Sequence, residues 1–249
     1  MAPPTGTTLT GMTTTALVTG ANKGIGYEIA AGLGRLGWAV GVGARDDARR
    51  EDAVARLRAD GVDAFEVPLD VTDDASVAAA AALLEERGGL DVLVNNAGVT
   101  GGGEQLPSTV DMDAVRAAVE VNVWGVIRLT NAVLPLLRRS PSPRIVNVSS
   151  GVGSLTRQAA DDGSTGPLSA AYSPSKTYLN AVTLQYAKEL KDTPILVNMM
   201  CPGFVATDLN GHRGTRTPAE GAQSAIRLAT LPDDGPTGTY SDDDGPVPW

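Results

Sequence analysis

The sequence has a single cysteine, Cys201, among 249 residues. An internal disulfide is therefore excluded, and this composition is typical of a protein of the reducing cytosol. Cys201 lies between a hydrophobic run and Pro202, which favours a small buried side chain over a nucleophile. Histidine is equally scarce, with His212 alone. No set of His, Cys and Asp has the spacing of a zinc site, so we expect no metal.

Long hydrophobic runs and excess positive charge are also missing. No apolar run approaches the ~20 residues of a membrane-spanning helix, and the first residues lack the basic and apolar regions of a secretory signal. The net charge is −9, which disfavours nucleic acid and anionic membranes as partners. These absences predict a soluble cytoplasmic protein.

Residues 1–12 are rich in Thr, Gly and Pro and show no periodicity, so we predict a flexible tail. Met12 directly precedes the first predicted strand and is an alternative translation start. Residues 13–249 contain no break in composition and no internal repeat. We predict that they form one domain.

Short apolar runs alternate with helical patterns throughout this domain. We predict strands at 14–19, 38–43, 64–68, 91–94, 144–148, 195–200 and 237–241. We predict helices at 25–36, 46–60, 73–87, 111–138, 172–191 and 218–230, with Pro135 as a kink or break. This alternation indicates the α/β class, with a parallel sheet of about seven strands and helices on both faces. We expect a doubly wound Rossmann-type domain whose ligand crevice lies at the carboxyl ends of the strands.

A glycine-rich turn follows the first predicted strand and opens a helix. Gly20, Gly24 and Gly26 permit a tight turn, close approach of a pyrophosphate and close helix–strand packing. The helix amino terminus adds amide donors and a favourable dipole for phosphates. The spacing differs from the common Gly-x-Gly-x-x-Gly, and a plain turn is the alternative. We predict a dinucleotide site here that also includes Asn22, Lys23 and Ile25.

The end of the second predicted strand bears on the choice of cofactor. An NAD site places an acidic residue there to bind the ribose 2′-hydroxyl, but this chain has Ala44 followed by Arg45. Arg45 can hold a 2′-phosphate bidentately, and Lys23 supplies a second cation. Asp46 is the rival ligand, although it more simply caps the following helix. We therefore expect NADP(H).

Tyr172 and Lys176 are four residues apart at the start of a predicted helix and so share one face. A cation within roughly 4–6 Å of a phenol favours the phenolate and lowers its pKa. The pair is therefore a candidate proton-transfer device, and we expect the pKa of Tyr172 to be lowered. A surface tyrosine beside a surface lysine is the alternative.

Several motifs occur together in a fixed order. They are TGANKGIG at 19–26, LDV at 69–71, NNAG at 95–98, Asn122, NVSS at 147–150, YSPSK at 172–176 and CPG at 201–203. The chain resembles the short-chain dehydrogenase/reductase family over residues 14–240, and its carbonyl-reductase-like members most of all.

The resemblance implies a catalytic set of Asn122, Ser150, Tyr172 and Lys176. Tyr172 would give a proton to the substrate carbonyl as hydride arrives, and Ser150 would stabilise the negative charge on that oxygen. Lys176 would bind the nicotinamide ribose and lower the tyrosine pKa. Asn122 would hold the helix geometry and a water that relays protons to Lys176. The family's serine lies three residues after an asparagine, which selects Ser150 over Ser149.

The resemblance also places further residues around the cofactor. Asp70 and Val71 would contact the adenine, and Asn95, Ala97 and Gly98 would line the cleft. The carboxamide would be positioned by Pro202, Gly203, Val205 and Thr207.

The expected function is NADPH-dependent reduction of a ketone or aldehyde. The alternatives are an NAD-dependent alcohol or hydroxysteroid dehydrogenase and, in a different class, a non-catalytic NADP-binding sensor. The substrate, its stereochemistry and the reaction direction stay open. The polar segment 204–216 suits a lid over the substrate.

Oligomeric state also stays open from the sequence. The segment 151–171 is longer than in the shortest members of the family and shorter than in its monomeric carbonyl reductases, whose long insert can cover the helical face that otherwise forms dimers. Apolar positions in 122–137 favour a homodimer, core packing is the alternative, and a monomer is not excluded. Trp249 could fold back against the domain or a partner.

Overall fold

Eight strands form one sheet within the residues that the computed structural model describes, which are 13–102, 105–160, 162–163 and 165–249. The predicted tail 1–12 and the start at Met12 lie outside these residues. The strands are β1 (Thr15–Thr19), β2 (Ala39–Ala44), β3 (Ala64–Pro68), β4 (Val92–Asn95), β5 (Arg144–Val148), β6 (Leu196–Met200), β7 (Tyr240–Asp242) and β8 (Gly245–Pro246).

Helices connect these strands and cover both faces of the sheet. They are α1 (Gly24–Gly34), α2 (Asp47–Ala59), α3 (Asp74–Glu86), α4 (Met112–Val119), α5 (Gly125–Leu137), α6 (Leu155–Ala159), α7 (Tyr172–Glu189) and α8 (Pro218–Ala229). The predicted caps are present, because Asp46 accepts a hydrogen bond from Arg49 N, and Asp73 accepts from Ala75 N and Ser76 N.

The strand order is β3-β2-β1-β4-β5-β6-β7-β8. Strands β1 to β7 pair in parallel, and β8 adds a short antiparallel edge that the sequence did not indicate. Because β1 pairs with both β2 and β4, the winding direction reverses there, and a crevice opens at the carboxyl ends of the strands. The predicted α/β class and parallel sheet are confirmed.

Successive side chains of each strand point to opposite faces of the sheet and pack into two separate hydrophobic layers. In β1, Ala16 and Val18 pack with α1, α2 and α8, whereas Leu17 packs with α3, α5 and α7. Both layers are closed to solvent, which explains why the strands are apolar without a polar face. The sheet is therefore a rigid platform for the residues at its carboxyl edge.

The predicted helix at 111–138 is interrupted, and the interruption is at Asn122 rather than at Pro135. A π-helical turn, Glu120–Trp124, separates α4 from α5. The Asn122 side chain exchanges two hydrogen bonds with the backbone of Val99, each 2.9 Å long, and these hold the turn. Pro135 lies within α5, which continues through it to Leu137. Turns of this kind are frequently found at functional sites.

The apolar positions that favoured a homodimer belong mostly to the core. Leu129, Val133 and Leu137 of α5 are inaccessible to solvent and pack against the sheet. Trp124 differs, because 44% of its surface is exposed. Most of the apolar pattern of α5 is therefore explained by packing within the chain.

A chain of buried polar side chains crosses from the sheet to α7. Asn95 Nδ2 donates to Asn147 Oδ1 at 2.8 Å and to Thr130 Oγ1 at 3.3 Å. Asn147 Nδ2 donates in turn to Thr183 Oγ1 at 2.8 Å. These side chains are at most 3% exposed, so water cannot replace their hydrogen bonds. This chain of hydrogen-bonded side chains fixes β4, β5 and α7 relative to one another.

We predict that Asn147→Leu destabilises the protein by about 2 kcal/mol or more, because it leaves buried polar atoms of Asn95 and Thr183 without their partner. Urea denaturation at neutral pH measures the loss. The control is Asn131→Leu on the exposed side of α5, where the Tyr186 hydroxyl loses one acceptor but keeps the carbonyl oxygen of Ile127 at 3.4 Å. Equal losses in the two variants would contradict this account of the buried chain.

Candidate active site

The four predicted catalytic residues come together at the carboxyl edge of the sheet. Tyr172 and Lys176 lie in the first two turns of α7, and the Lys176 ammonium is 5.7 Å from the centroid of the Tyr172 ring. The Tyr172 hydroxyl and the side chain of Ser150, just after β5, are hydrogen-bonded. Asn122 Nδ2 donates to Ser175 Oγ of α7 at 2.9 Å. Their roles stay predictions at this point.

Lys176 is deeply buried, with 4% of its surface exposed. Its ammonium donates to the carbonyl oxygen of Val148, the last residue of β5, at 2.9 Å. Burial penalises the charged form and lowers the pKa of Lys176 to about 8. The lysine therefore titrates far closer to neutrality than a surface lysine.

The expected lowering of the Tyr172 pKa is not found. The residue as a whole is half-buried, but its hydroxyl lies among protein atoms, and burial raises its pKa to about 12. The hydrogen bond with Ser150 opposes this shift but does not overcome it. The Lys176 ammonium lies over the ring and is bound to Val148. Tyr172 is therefore protonated at neutral pH.

The structure separates the two adjacent serines. Ser149 is 2% exposed, and its hydroxyl donates to Asn180 Oδ1 inside the protein. Ser150 is half-buried and contacts the Tyr172 hydroxyl. This placement supports the choice of Ser150 over Ser149.

The amide of Asn122 is fully engaged with protein groups. Its two hydrogens go to the carbonyl oxygen of Val99 and to Ser175 Oγ, and its oxygen accepts from Val99 N. Ser175 Oγ donates to the carbonyl oxygen of Tyr172 at 2.6 Å. Asn122 thus joins the loop after β4 to the first turn of α7, as expected of a residue that holds the helix geometry. The proton relay stays a prediction.

Gln105 also holds the start of α7, which the sequence did not reveal. Its side-chain oxygen accepts from the backbone amide of Ala171 at 3.0 Å, and its carbonyl oxygen accepts from that of Ala170 at 2.9 Å. The contact with Ala171 spans 66 positions of sequence. Only the fold brings the two segments together, and no local pattern marks the pair.

The glycine-rich turn after β1 presents bare backbone at the start of α1. Gly20 and Gly24 have φ values of +64° and +57°, which side chains disfavour. At Gly26 an added Cβ would lie 2.4 Å from Asn96 Nδ2 and 2.5 Å from the carbonyl oxygen of Gly20. The helix has no side-chain cap at Lys23, which leaves its first amides for an anion. The turn therefore fits a pyrophosphate. Asn22 and Ile25 lie half-buried in it.

The neighbouring asparagines Asn95 and Asn96 make different contacts. Asn95 was expected to line the cleft, but its side chain belongs to the buried polar chain between β4 and β5. Asn96 instead holds the glycine turn, since its Nδ2 donates to the carbonyl oxygens of Thr19 at 2.8 Å and Gly20 at 3.3 Å. The reason is alternation along the strand, which turns successive side chains to opposite faces.

Two more residues of this segment border the site. The amide of Ala97 donates to Thr19 Oγ1 at 2.9 Å. Gly98 is closely surrounded, because a Cβ there would lie 3.2 Å from Asn122 Oδ1 and 3.7 Å from the Lys176 ammonium. The backbone at Gly98 thus lies directly beside the lysine.

The end of β2 presents Arg45 to solvent. Arg45 is exposed and makes no hydrogen bond or ion pair with any other residue that the structure describes. Its rival Asp46 is engaged as the cap of α2. Asp70 accepts hydrogen bonds from the amide and hydroxyl of Thr72, which lower its pKa. Val71 packs against Gly125.

The predicted lid contacts the glycine turn. Pro202 and Gly203 follow β6, and Val205 forms an isolated bridge with Arg216 that closes the loop. The side chain of Thr207 lies beside Gly24.

A group of charges spans the lid and the turn. Lys23 forms an ion pair with Asp208, whose other oxygen lies 2.9 Å from Nε2 of His212. His212 is mainly exposed. Lys23, predicted as a second cation for the 2′-phosphate, is thus already in contact with the lid.

Two classes of feature are not observed in the described part of the chain. No group of three or more His, Cys, Asp or Glu side chains has the arrangement of a metal site among those residues. Within the same ranges, every helix is too short or too polar to traverse a bilayer.

Comparisons with known proteins agree with this geometry. The family model described as short chain dehydrogenase matches residues 14–217. (−)-Isopiperitenone reductase of Mentha piperita is 34% identical over 90% of this chain and 95% of its own length. Carbonyl reductase [NADPH] 1 of Rattus norvegicus is 33% identical over 94% of this chain and 98% of its own. The crystal structure of an NADPH-bound carbonyl reductase from chicken fatty liver superposes with a TM-score of 0.83, at 28% identity, over 95% of this chain and 99% of that one.

We predict that wild-type protein gains about 2 kcal/mol of stability relative to Lys176→Met between pH 7 and pH 9.5. The unfolded lysine keeps its proton up to about pH 10.5, whereas the folded one loses it above about pH 8. The unfolded state thus binds more protons in this window, and stability rises with pH. Urea denaturation at both pH values measures the difference. Lys188→Met, at an exposed position of α7, is the control, and its stability relative to wild type should be the same at both pH values. A stability difference between wild type and Lys176→Met that is also the same at both pH values would contradict the lowered pKa of Lys176.

Proposed function

Because the chain belongs to the short-chain dehydrogenase/reductase family, we propose that it reduces a ketone or an aldehyde to an alcohol, with NADPH as the hydride donor. The enzyme is an NADP(H)-dependent oxidoreductase. The observation that carries the proposal is the contact between the hydroxyls of Ser150 and Tyr172, with the Lys176 ammonium over the ring. The names of the relatives from mint and rat, both reductases, support the direction.

The residues of this chain fit the pyrophosphate and the 2′-phosphate of the cofactor. The turn at Gly20–Gly26 and the first amides of α1 would hold the pyrophosphate. Arg45, exposed and without an ion-pair partner among the described residues, would hold the 2′-phosphate. NADPH, when bound, supplies the hydride from C4 of its nicotinamide ring. Everything else in the reaction falls to side chains of the protein.

Tyr172 is the general acid of the proposed reaction. With its pKa raised to about 12 by burial, the phenol is protonated at neutral pH and ready to donate. The alkoxide that forms on hydride arrival is far more basic than a phenolate, so transfer of the phenolic proton is downhill. Ser150 donates a hydrogen bond to the same oxygen and stabilises its charge as it develops.

Lys176 stabilises the charge that the donated proton leaves on Tyr172. A phenolate close to an ammonium in a buried site is favoured electrostatically. The Val148 carbonyl and the backbone at Gly98 fix the position of the ammonium. Asn122 holds α7 and the loop after β4 at a fixed separation. Reprotonation through a water near Asn122 is part of the same proposal.

The substrate that we propose is a small carbonyl compound. We also propose that the protein is located in the cytoplasm. The single cysteine supports that location, since the burial and raised pKa of Cys201 suit a thiol kept reduced.

We predict that Tyr172→Phe lowers kcat by about 10³-fold or more, because it removes the proton donor. A panel of ketones, aldehydes and quinones, followed by NADPH absorbance, first identifies a working substrate. Fluorescence titration should show NADPH affinity within about twofold of wild type, since the ring is kept. Tyr178→Phe, an exposed tyrosine of the same helix, should have full activity. Retained turnover in Tyr172→Phe would refute the mechanism.

We predict that Arg45→Ala lowers the ratio of kcat/KM for NADPH to that for NADH by about 10- to 100-fold, the usual worth of a charged hydrogen bond. Only NADPH has the 2′-phosphate that Arg45 would bind, so the kcat/KM for NADH should change little. Arg49→Ala is the control, since Arg49 is exposed on α2 and pairs with Asp46. An unchanged ratio in Arg45→Ala would favour the alternative, in which Asp46 binds NAD.

A further inference from the structure

The antiparallel hairpin formed by β7 and β8 lies directly behind Ser150. The Tyr240 hydroxyl donates a hydrogen bond to the backbone carbonyl oxygen of Ser150. The amide of Gly153 donates to the same oxygen at 2.8 Å. Ser150 and Tyr240 are 90 positions apart in sequence, so this contact exists only in the folded chain.

The Tyr240 contact is at the first residue after the backbone hydrogen bonds between β5 and β6 end. The amide of Ser149 still donates to the carbonyl oxygen of Met200 at 2.8 Å, as a continuation of the β5–β6 pairing. Ser150 follows in an extended conformation and leads into a 3₁₀ turn, Gly151–Gly153. The orientation of the Ser150 side chain therefore depends on what holds its own peptide group.

Strand β7 holds the next residue as well. Asp242 pairs with Arg157 at 3.2 Å. The Arg157 guanidinium covers Gly151 so closely that an added Cβ would lie 2.9 Å from Nη1. Two side chains of one strand thus restrain two successive residues, one directly and one through Arg157.

Tyr240 is itself firmly placed. It is 3% exposed, and its ring packs against the Trp249 ring with 5.7 Å between centroids. The Trp249 carbonyl oxygen accepts from the amide of Thr156 in α6 at 2.8 Å. Burial raises the pKa of the Tyr240 hydroxyl well above its usual value, so the hydroxyl stays protonated and can act only as a donor toward Ser150. Trp249 thus folds back on its own domain.

We propose that Tyr240 is a positioning residue that fixes the Ser150 hydroxyl against the substrate oxygen. The inference rests on the proposed function, because it assigns Ser150 the role described there. Without the Tyr240 hydroxyl, the Ser150 peptide keeps the Gly153 hydrogen bond and loses its second restraint. The Ser150 side chain would then spend less time in the geometry that stabilises the developing charge.

A double-mutant cycle tests the proposal. Tyr240→Phe removes one hydroxyl and keeps the packing with Trp249. We expect it to lower the single-turnover rate of carbonyl reduction about tenfold while leaving the KM for NADPH unchanged. In a Ser150→Ala background the same change should have no further effect, because there is no serine hydroxyl left to position. A tenfold loss in both backgrounds, or no loss in either, would overturn the proposal.

Tyr186→Phe is the matched control. Tyr186 is also a buried tyrosine, and its hydroxyl donates to Asn131 Oδ1 at 2.8 Å, away from Ser150. Its removal should leave the turnover rate unchanged. A loss equal to that of Tyr240→Phe would show that removal of any buried tyrosine hydroxyl has this effect, and would refute the specific role.

Hydrogen exchange measured by mass spectrometry supplies a readout that does not need activity. Tyr240→Phe should speed deuterium uptake in the peptide covering 149–157, whereas Tyr186→Phe should not. Unchanged uptake would contradict the restraint even if the enzyme works. Faster uptake in a protein without NADPH-dependent reduction would instead refute the proposed function and leave the restraint standing.

Discussion

The hydrogen bonds of a single amide, that of Asn122, hold together the parts of the active site. Its two hydrogens and its oxygen join the backbone of Val99, after β4, to Ser175, in the first turn of α7. Making these bonds opens the helix into the π-helical turn between α4 and α5. The π-helical turn is therefore found where the Asn122 hydrogen bonds fix the distance between the edge of the sheet and Tyr172. A regular helix would carry the amide to a different position.

Burial acts in opposite directions on the pKa values of Tyr172 and Lys176, which are both in α7. It raises the pKa of Tyr172 and lowers that of Lys176, so each group is biased toward its neutral form. The result differs from the simple picture of a cation that turns its neighbour into a phenolate. A protonated phenol beside a readily titrated ammonium is an acid at rest. In the proposed reaction the lysine matters most after the proton has left, when the phenolate needs a counter-charge.

Local sequence signals were enough for the seven parallel strands of the sheet, the glycine turn and the residues of α7. The caps Asp46 and Asp73 and the Tyr172–Lys176 pair follow from spacings of three or four residues. The π-helical turn did not follow, because helix periodicity does not record a side chain that bonds to a distant loop. Asn95 was expected at the cleft, and Asn96 was not singled out, because strand alternation decides which of the two faces the glycine turn. That phase depends on where β4 ends.

The contacts that no sequence pattern marks share one property, which is their length along the chain. Gln105 reaches Ala171 across 66 positions, and Tyr240 reaches Ser150 across 90. Each ends on a backbone group of, or next to, a proposed catalytic residue rather than on a side chain. The chemistry proposed for Ser150 and Tyr172 needs particular side chains and so leaves a motif, whereas a backbone group can be held by any donor or acceptor of suitable reach. Restraint of the active site is thus spread over residues that carry no signature of their own, and only the folded chain identifies them.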